Sequence, residues 1–314
     1  MTTAVVFAYH DVGVKCLSVL LAHKVDVALV VTHDDNPAET IWFDSVARLA
    51  AAHRLPTIAP ADPNTPDVVG RISAQQPDFM FSFYYRNMLR PALLAVPRRG
   101  ALNMHGSLLP KYRGRVPVNW AVIRGETETG ATLHYMTGKP DAGDIVAQQA
   151  VPILPDDTAG EVFHKVAAAA AAVLDRTLPE LIAGTAPRTP QDLAQGGYFG
   201  GRRPADGRID WRCSASAVHN LVRGVAPPYP GAFTMLAGKT LKILSTRLAH
   251  ERAPAIAIAI KPAIYADATA CYAACGDGTL LRILAMEYEG QTFTAAQFLA
   301  RFGDYPVHLE AASQ

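Results

Sequence analysis

The chain has 314 residues, 50% of them hydrophobic, with 29 basic and 28 acidic side chains and a formal net charge of +1. That is enough chain for a sizeable core and more than one domain, and the charge balance does not argue for bulk nucleic-acid binding, although a local patch can sit inside a neutral total. Cys16, Cys213, Cys271 and Cys275 form no CxxC pair, no leader pattern opens the chain, and the most apolar runs (166–174 and 253–260) fall short of the roughly 18–20 residues of a span, so a cytoplasmic protein without a membrane segment is expected.

In chain order, 4–8 ("AVVFA") reads as a strand broken by "YHDVG", and a helical pattern follows to Leu21. Residues 27–32 read as a second strand, and 45–53 and 68–75 as helices. Residues 79–83 and 100–104 read as further strands, with a helical stretch at 89–95 between them. Strands alternating with helices predict an α/β fold with a doubly wound, mostly parallel, Rossmann-like sheet. Such sheets bind ligands at the carboxyl ends of their strands. Residues 9–13, 33–36, 84–86 and 103–105 all fall there.

Further on, 118–124 reads as a helix, 129–136 and 145–152 as strands around "TGKPDAGD", and 159–182 as a long helix. Its six alanines at 167–172 favour helix and close packing. Near Thr185 the pattern changes: Pro187, Pro190, Gly196 and Gly197 resemble a linker. Strand candidates at 241–245, 255–260, 268–273 and 280–286, with a hairpin signal in "CGDGTLLRI", predict a smaller β-rich, open-barrel-like domain. The expected division is a catalytic domain over 1–186, a linker and seam over 187–204, the barrel-like domain over 205–304 and a tail over 305–314.

The first strand end, "FAYHDVGVKC", lacks both GxGxxG and GxxxxGK[ST], so a dinucleotide fingerprint is not expected. The edge at Tyr9 and His10 could still receive an anion or small ligand. The histidines are scattered and no HExxH occurs, so no metal is expected.

"LNMHGSLLPKYRG" spans 102–114. Asn103 and His105, at i and i+2 of a strand, share a face. At a carboxyl end they offer an amide donor and a proton carrier to a carbonyl oxygen that becomes an oxyanion. A strand end capping its own backbone is the competing reading. Asp141 could fold back to orient and charge His105, or could simply satisfy turn amides. Asp144 competes with it, and spacing does not choose. Lys111, Arg113 and Arg115 read either as phosphate contacts or as a solvated basic loop. Arg202 and Arg203 are a second candidate phosphate clamp.

"LNMHGSLLPKYRG" together with "DAGDIVAQ" (141–148) resembles the formyltransferases that use 10-formyltetrahydrofolate. That family includes methionyl-tRNA formyltransferases, sugar-nucleotide N-formyltransferases and formyltetrahydrofolate deformylases. "VVFAYHDVG", "THDDNPAE", "FSFYYR", "GETETGATLH", "FGGRR" and "YPGAF" resemble the branch that formylates UDP-4-amino-4-deoxy-L-arabinose in lipid A modification and polymyxin resistance. The likeness runs to about residue 245 and is weaker beyond it. It implies a catalytic trio of Asn103, His105 and Asp141. It implies 10-formyltetrahydrofolate as co-substrate against Arg86, Asn87, Met88, Leu89, Leu109, Pro110 and Asp141, with no metal. The nucleotide-linked amino sugar is expected at Tyr9, His10, Lys111, Tyr112, Arg113, Gly114, Arg202 and Arg203. tRNA is disfavoured: "THDDNPAETIWFD" carries Asp34, Asp35, Glu39 and Asp44 and no basic residue where tRNA-formylating relatives have a basic loop. No oligomeric state follows from the sequence.

Overall fold

The computed structural model describes residues 1–37, 39–252, 262–267 and 269–309. By contacts the chain divides into two units: Met1–Pro117 with Glu128–Pro152 and Phe163–Gly200, and Val118–Thr127 with Ile153–Val162 and the chain from Gly201 onward.

The first unit opens with β1 (Thr3–Ala8), α1 (His10–Ala22), β2 (Asp26–Val31), α2 (Val46–Ala52), β3 (Thr57–Ile58) and α3 (Pro66–Ser73). It continues with β4 (Phe79–Phe83), α4 (Pro91–Leu94), β5 (Gly100–His105) and β6 (Arg113–Gly114). Then come α5 (Pro117–Ile123), almost all of it in the second unit, β7 (Glu128–Tyr135), β8 (Ile145–Pro152), α6 (Ala159–Ala183) and β9 (Tyr198–Phe199). Local chemistry explains several of these starts and stops. Ser45 caps α2 by accepting the Arg48 N–H (3.3 Å). Pro66 and Pro91 open α3 and α4, where a missing N–H costs nothing. Arg99 donates to the carbonyls of Leu181 and Ile182 in the last turn of α6, where the i+4 helical donors run out.

The large sheet runs β3-β2-β1-β4-β5-β7-β8. β1 to β5 pair in parallel. Every residue of β4, and all of β1 after Thr3, is buried, as expected for parallel strands covered on both faces. β7 and β8 join antiparallel. This is a Rossmann-like α/β sheet, mostly parallel, with an antiparallel edge.

The second unit holds α7 (Ala215–Val225), β10 (Ala232–Leu236), β11 (Lys239–Arg252), β12 (Ala263–Ala266), β13 (Cys271–Ala274), β14 (Thr279–Tyr288), β15 (Gln291–Thr292), α8 (Ala295–Phe302) and β16 (Val307–His308). Its antiparallel half-barrel runs β10-β11-β14-β13-β12-β16. Trp211 and Phe298 are fully buried in its core, and the Trp211 indole N–H donates to Thr234 Oγ1 (3.0 Å). Two helices, α7 and α8, lie in stretches to which the sequence reading assigned no element. Both carried signals: Ser214 caps α7, and Thr294 with Gln297 forms a capping box on α8. The expected strand at 255–260 lies outside the described residues, as do residue 268 of the 268–273 strand and the end of the 305–314 tail.

Candidate active site

The strand order reverses beside β1: the chain builds outward to β2 and β3, then returns to lay β4 and β5 on the other side. Open α/β sheets place their crevice at such a switch point. A cavity of about 440 Å³ lies there, lined among others by Tyr9, Arg86, Asn103, His105, Asp141 and Tyr198.

β5 delivers Asn103 and His105 to this cavity. The stretch after His105 is pinned rather than loose. Thr132 Oγ1 on β7 donates to Ser107 O (2.6 Å) and accepts from the Leu109 N–H (3.1 Å). Gln148 on β8 donates to Leu109 O, and Ser107 Oγ donates to Lys111 O. This scaffold holds the carbonyl of Tyr112 2.8 Å from His105 Nε2. A carbonyl only accepts, so Nε2 carries the ring proton and Nδ1 is bare in the neutral ring.

Asp141 lies in the turn between β7 and β8, with φ +51°. Its Oδ2 accepts the Gly114 N–H (2.8 Å), and its Oδ1 is 3.6 Å from His105 Nδ1. Gln191 clamps the turn by donating to Asp141 O and Gly143 O. Asp144 instead meets Arg188 Nε at 3.6 Å. The choice that spacing left open is therefore made by folding: Asp141 faces the imidazole.

Gly114 is needed on two counts. Its φ is +103°, and an added Cβ would run into the carbonyl oxygen of Phe199 and press on the Tyr198 ring. We expect Gly114→Ala to cost about 1–3 kcal/mol of stability. It should also cut turnover at least about tenfold, because displacing this N–H frees Asp141. Melting temperature and kcat of the purified variant check both; a stable variant with normal turnover removes Gly114 from the site.

Burial is the largest influence on His105 and drives its pKa below the usual histidine value; Asp141 and the Tyr112 carbonyl pull it up, His134 pushes it down, and burial wins. His105, 5% exposed, is thus neutral at neutral pH. Burial opposes ionisation of Asp141; the Gly114 N–H, and positive charge whenever His105 or His134 carries it, favour the carboxylate and hold the carboxyl below the usual range. His10 is pushed down to about 3, chiefly by burial and then by Arg86 and His164. It is stacked on Phe43 (centroids 3.9 Å apart) and accepts the Asp11 N–H on Nδ1.

The cavity brings together Tyr9, His10, Arg86, Asn87, Met88, Leu89 and Gly114 with Asn103, His105 and Asp141. Arg86 lies over the Tyr9 ring and forks onto Glu39 at 2.8 and 2.9 Å, while the Tyr9 hydroxyl donates to Asp35 (2.8 Å). Leu109, Pro110, Lys111, Tyr112 and Arg113 do not line it. For Arg113 the basic-loop reading is corrected. The side chain is buried and its guanidinium donates inward to Leu193 O and Gly196 O, because those chain carbonyls need a donor there. Arg202 and Arg203 belong to the second unit. Arg202 packs over the Trp120 ring (4.8 Å) and donates to Asp206 O, whereas the exposed Arg203 guanidinium has no hydrogen-bond or ion-pair partner among the described residues.

Sequence reasoning missed His134, which contacts both Asn103 and Asp141. "GETETGATLH" contains it, but nothing local marks it; only the register that sets His134 opposite Asn103 reveals it. Among the described residues no helix is long and apolar enough to cross a membrane, and no His, Cys, Asp and Glu cluster is arranged to hold a metal ion.

Fold and site together define an α/β enzyme with a neutral imidazole, a carboxylate and a carboxamide around one cavity, equipped to move a proton and meet a developing negative charge. The sequence matches the formyl transferase family over residues 15–178 and the formyl transferase C-terminal domain over 202–303. The chain belongs to the formyltransferase family. It is also similar in fold to an N-formyltransferase from Helicobacter canadensis in complex with folinic acid and dTDP-3-aminofucose (TM-score 0.71, 17% identity, covering 93% of this chain and 100% of that one). A sugar 3N-formyltransferase determined with dTDP and 5-N-formyl-THF gives a TM-score of 0.70 at 17% identity, covering 93% and 99%. A sugar N-formyltransferase from a Shewanella species gives 0.63 at 18%, covering 81% and 99%.

Proposed function

We propose that this enzyme transfers a formyl group from 10-formyltetrahydrofolate to the 4-amino group of UDP-4-amino-4-deoxy-L-arabinose. The observation that carries the chemistry is the bare Nδ1 of a neutral, buried His105, flanked by Asp141 and, two residues back on the same strand, by Asn103. The sugar-nucleotide class is supported by the ligands of the similar folds, which are formyl folates and dTDP or a dTDP-amino sugar. The particular sugar and the uridine base rest on the motifs quoted above, which resemble the polymyxin-resistance branch. Acidic Asp34, Asp35, Glu39 and Asp44 speak against a tRNA phosphate backbone.

In this reading the acceptor amine attacks the formyl carbon as His105 Nδ1 takes its proton. The imidazolium so formed has Asp141 beside Nδ1 and keeps its Nε2–H on the Tyr112 carbonyl. Asn103 donates an N–H to the formyl oxygen as it becomes an oxyanion. When that oxygen re-forms its double bond, the bond to N10 breaks and His105 returns the proton to N10, so charge and protons balance. The aromatic and apolar lining by Tyr84, Tyr85, Met88 and Met136 suits a planar folate, with Arg86 beside it for an anionic group.

Arg202 and Arg203 are proposed to hold the nucleotide diphosphate, two guanidiniums suiting two phosphates. Arg202→Glu should raise KM for the sugar nucleotide several-fold with kcat little changed; an unaltered KM removes Arg202 from the phosphate site. The reaction itself is tested with purified enzyme, 10-formyltetrahydrofolate and UDP-4-amino-4-deoxy-L-arabinose, following tetrahydrofolate release and the sugar nucleotide's mass. Gain of one formyl group supports the proposal. Tetrahydrofolate released without that gain replaces it with hydrolysis, and no reaction moves the acceptor to another amino-sugar nucleotide.

A further inference from the structure

His134 contacts both Asn103 and Asp141, and the mechanism above gives it no role. It is 1% exposed, stands on β7 directly opposite Asn103 of β5, and lines the cavity. Its Nδ1 is 2.9 Å from the carbonyl oxygen of Tyr135. That oxygen can only accept, so Nδ1 carries a proton, and in the neutral ring Nε2 presents a lone pair. Asn103 Nδ2 lies 3.2 Å from this Nε2. A bare ring nitrogen can pair only with an N–H, so the amide turns its NH₂ edge, not its oxygen, towards His134. One amide hydrogen is taken by His134. No second partner for that NH₂ occurs among the described residues.

We propose that His134 is a positioning residue that acts through Asn103, setting which edge of the carboxamide meets the formyl oxygen. The two edges of a carboxamide are nearly the same in shape, so packing alone does not choose between them. The Nε2 lone pair does. With it, an N–H faces the developing oxyanion; without it, the amide is free to turn its own oxygen onto that charge, where it repels. Backbone register supplies the precision: Asn103 and His134 are cross-strand partners on adjacent strands of one sheet. The competing arrangement is a His134 imidazolium whose Nε2–H turns to Asp141 Oδ1, 3.6 Å away, with the Asn103 oxygen turned towards the ring.

This inference rests on the proposed role of Asn103 as oxyanion donor, and its test separates the two. In the free, ¹⁵N-histidine-labelled enzyme, a long-range ¹H–¹⁵N spectrum reads the His134 tautomer, assigned by its loss in His134→Phe. A proton on Nδ1 and a bare Nε2 are expected; an Nε2–H ring or an imidazolium overturns the proposal, and no substrate is needed. Turnover then closes a cycle of Asn103→Ala, His134→Phe and the double variant. His134→Phe should lower kcat at least about tenfold, a part of the loss expected for one oxyanion donor, with the folate KM within about twofold. It should lower kcat no further once Asn103 is gone. His134→Gln, which keeps an acceptor oxygen, should recover part of kcat and covers the case in which the phenylalanine variant fails to fold. Losses that multiply independently would show a merely structural residue and overturn the proposal. Normal turnover in Asn103→Ala would instead sink the oxyanion role, while the tautomer still decides the state of His134.

Discussion

Asn103→Ala is expected to lower kcat by about 10²–10³-fold, or about 3–4 kcal/mol of transition-state stabilisation, while leaving folate affinity nearly unchanged. The split follows from timing. A neutral formyl oxygen gains little from one more N–H in the ground state, but the same oxygen carries most of the new charge once the amine has added. An interaction made mainly in the transition state raises kcat and not affinity. The side chain lines a cavity rather than filling the core, so its removal leaves no packing defect large enough to unfold β5. Turnover from tetrahydrofolate release, beside a binding titration with a formyl folate, measures both halves. A folded variant with near-normal kcat removes Asn103 from the chemistry.

His105→Ala should lose about 10²–10⁴-fold in kcat/KM, the usual worth of a positioned general base. The pH profile identifies the group. A base must be neutral, and burial holds the His105 pKa below the ordinary value of about 6.5. The acid limb that His105 contributes should therefore fall below that value, activity being lost as pH drops through it. Asp141 raises the His105 pKa, so Asp141→Asn should move this limb to still lower pH. It should also cut kcat, because the imidazolium formed during attack then lacks its counter-charge. In the proposed mechanism both residues serve one proton transfer, so their losses should not multiply in the double variant. A limb that stays in place when Asp141 is neutralised would separate the carboxylate from the imidazole.

Several parts of this site were legible in one dimension for a definite reason. β4 is a five-residue run, "FMFSF", buried on both faces, and its pattern marks it without any neighbour. Asn103 and His105 are two residues apart on one strand, so their shared face follows from the strand period. By contrast, Arg113 and Arg115 looked alike as cations of one loop. Folding buried the first against carbonyls some eighty residues away and left the second exposed on the cavity. Nothing within the loop separates them.

By itself, then, the sequence determined the alternation that builds the parallel sheet, the carboxyl ends where a ligand would sit, and the motif that resembles a folate-dependent formyltransferase. Each depends on local periodicity or on residues close together in the chain. Only the tertiary structure decided that Asp141 and not Asp144 faces His105, that Gly114 holds that carboxylate, and that His134 stands against Asn103. These contacts join residues some 27–36 positions apart. They exist because strand register, a left-handed turn and burial bring them together, and burial also sets the charge on His105, which composition does not encode.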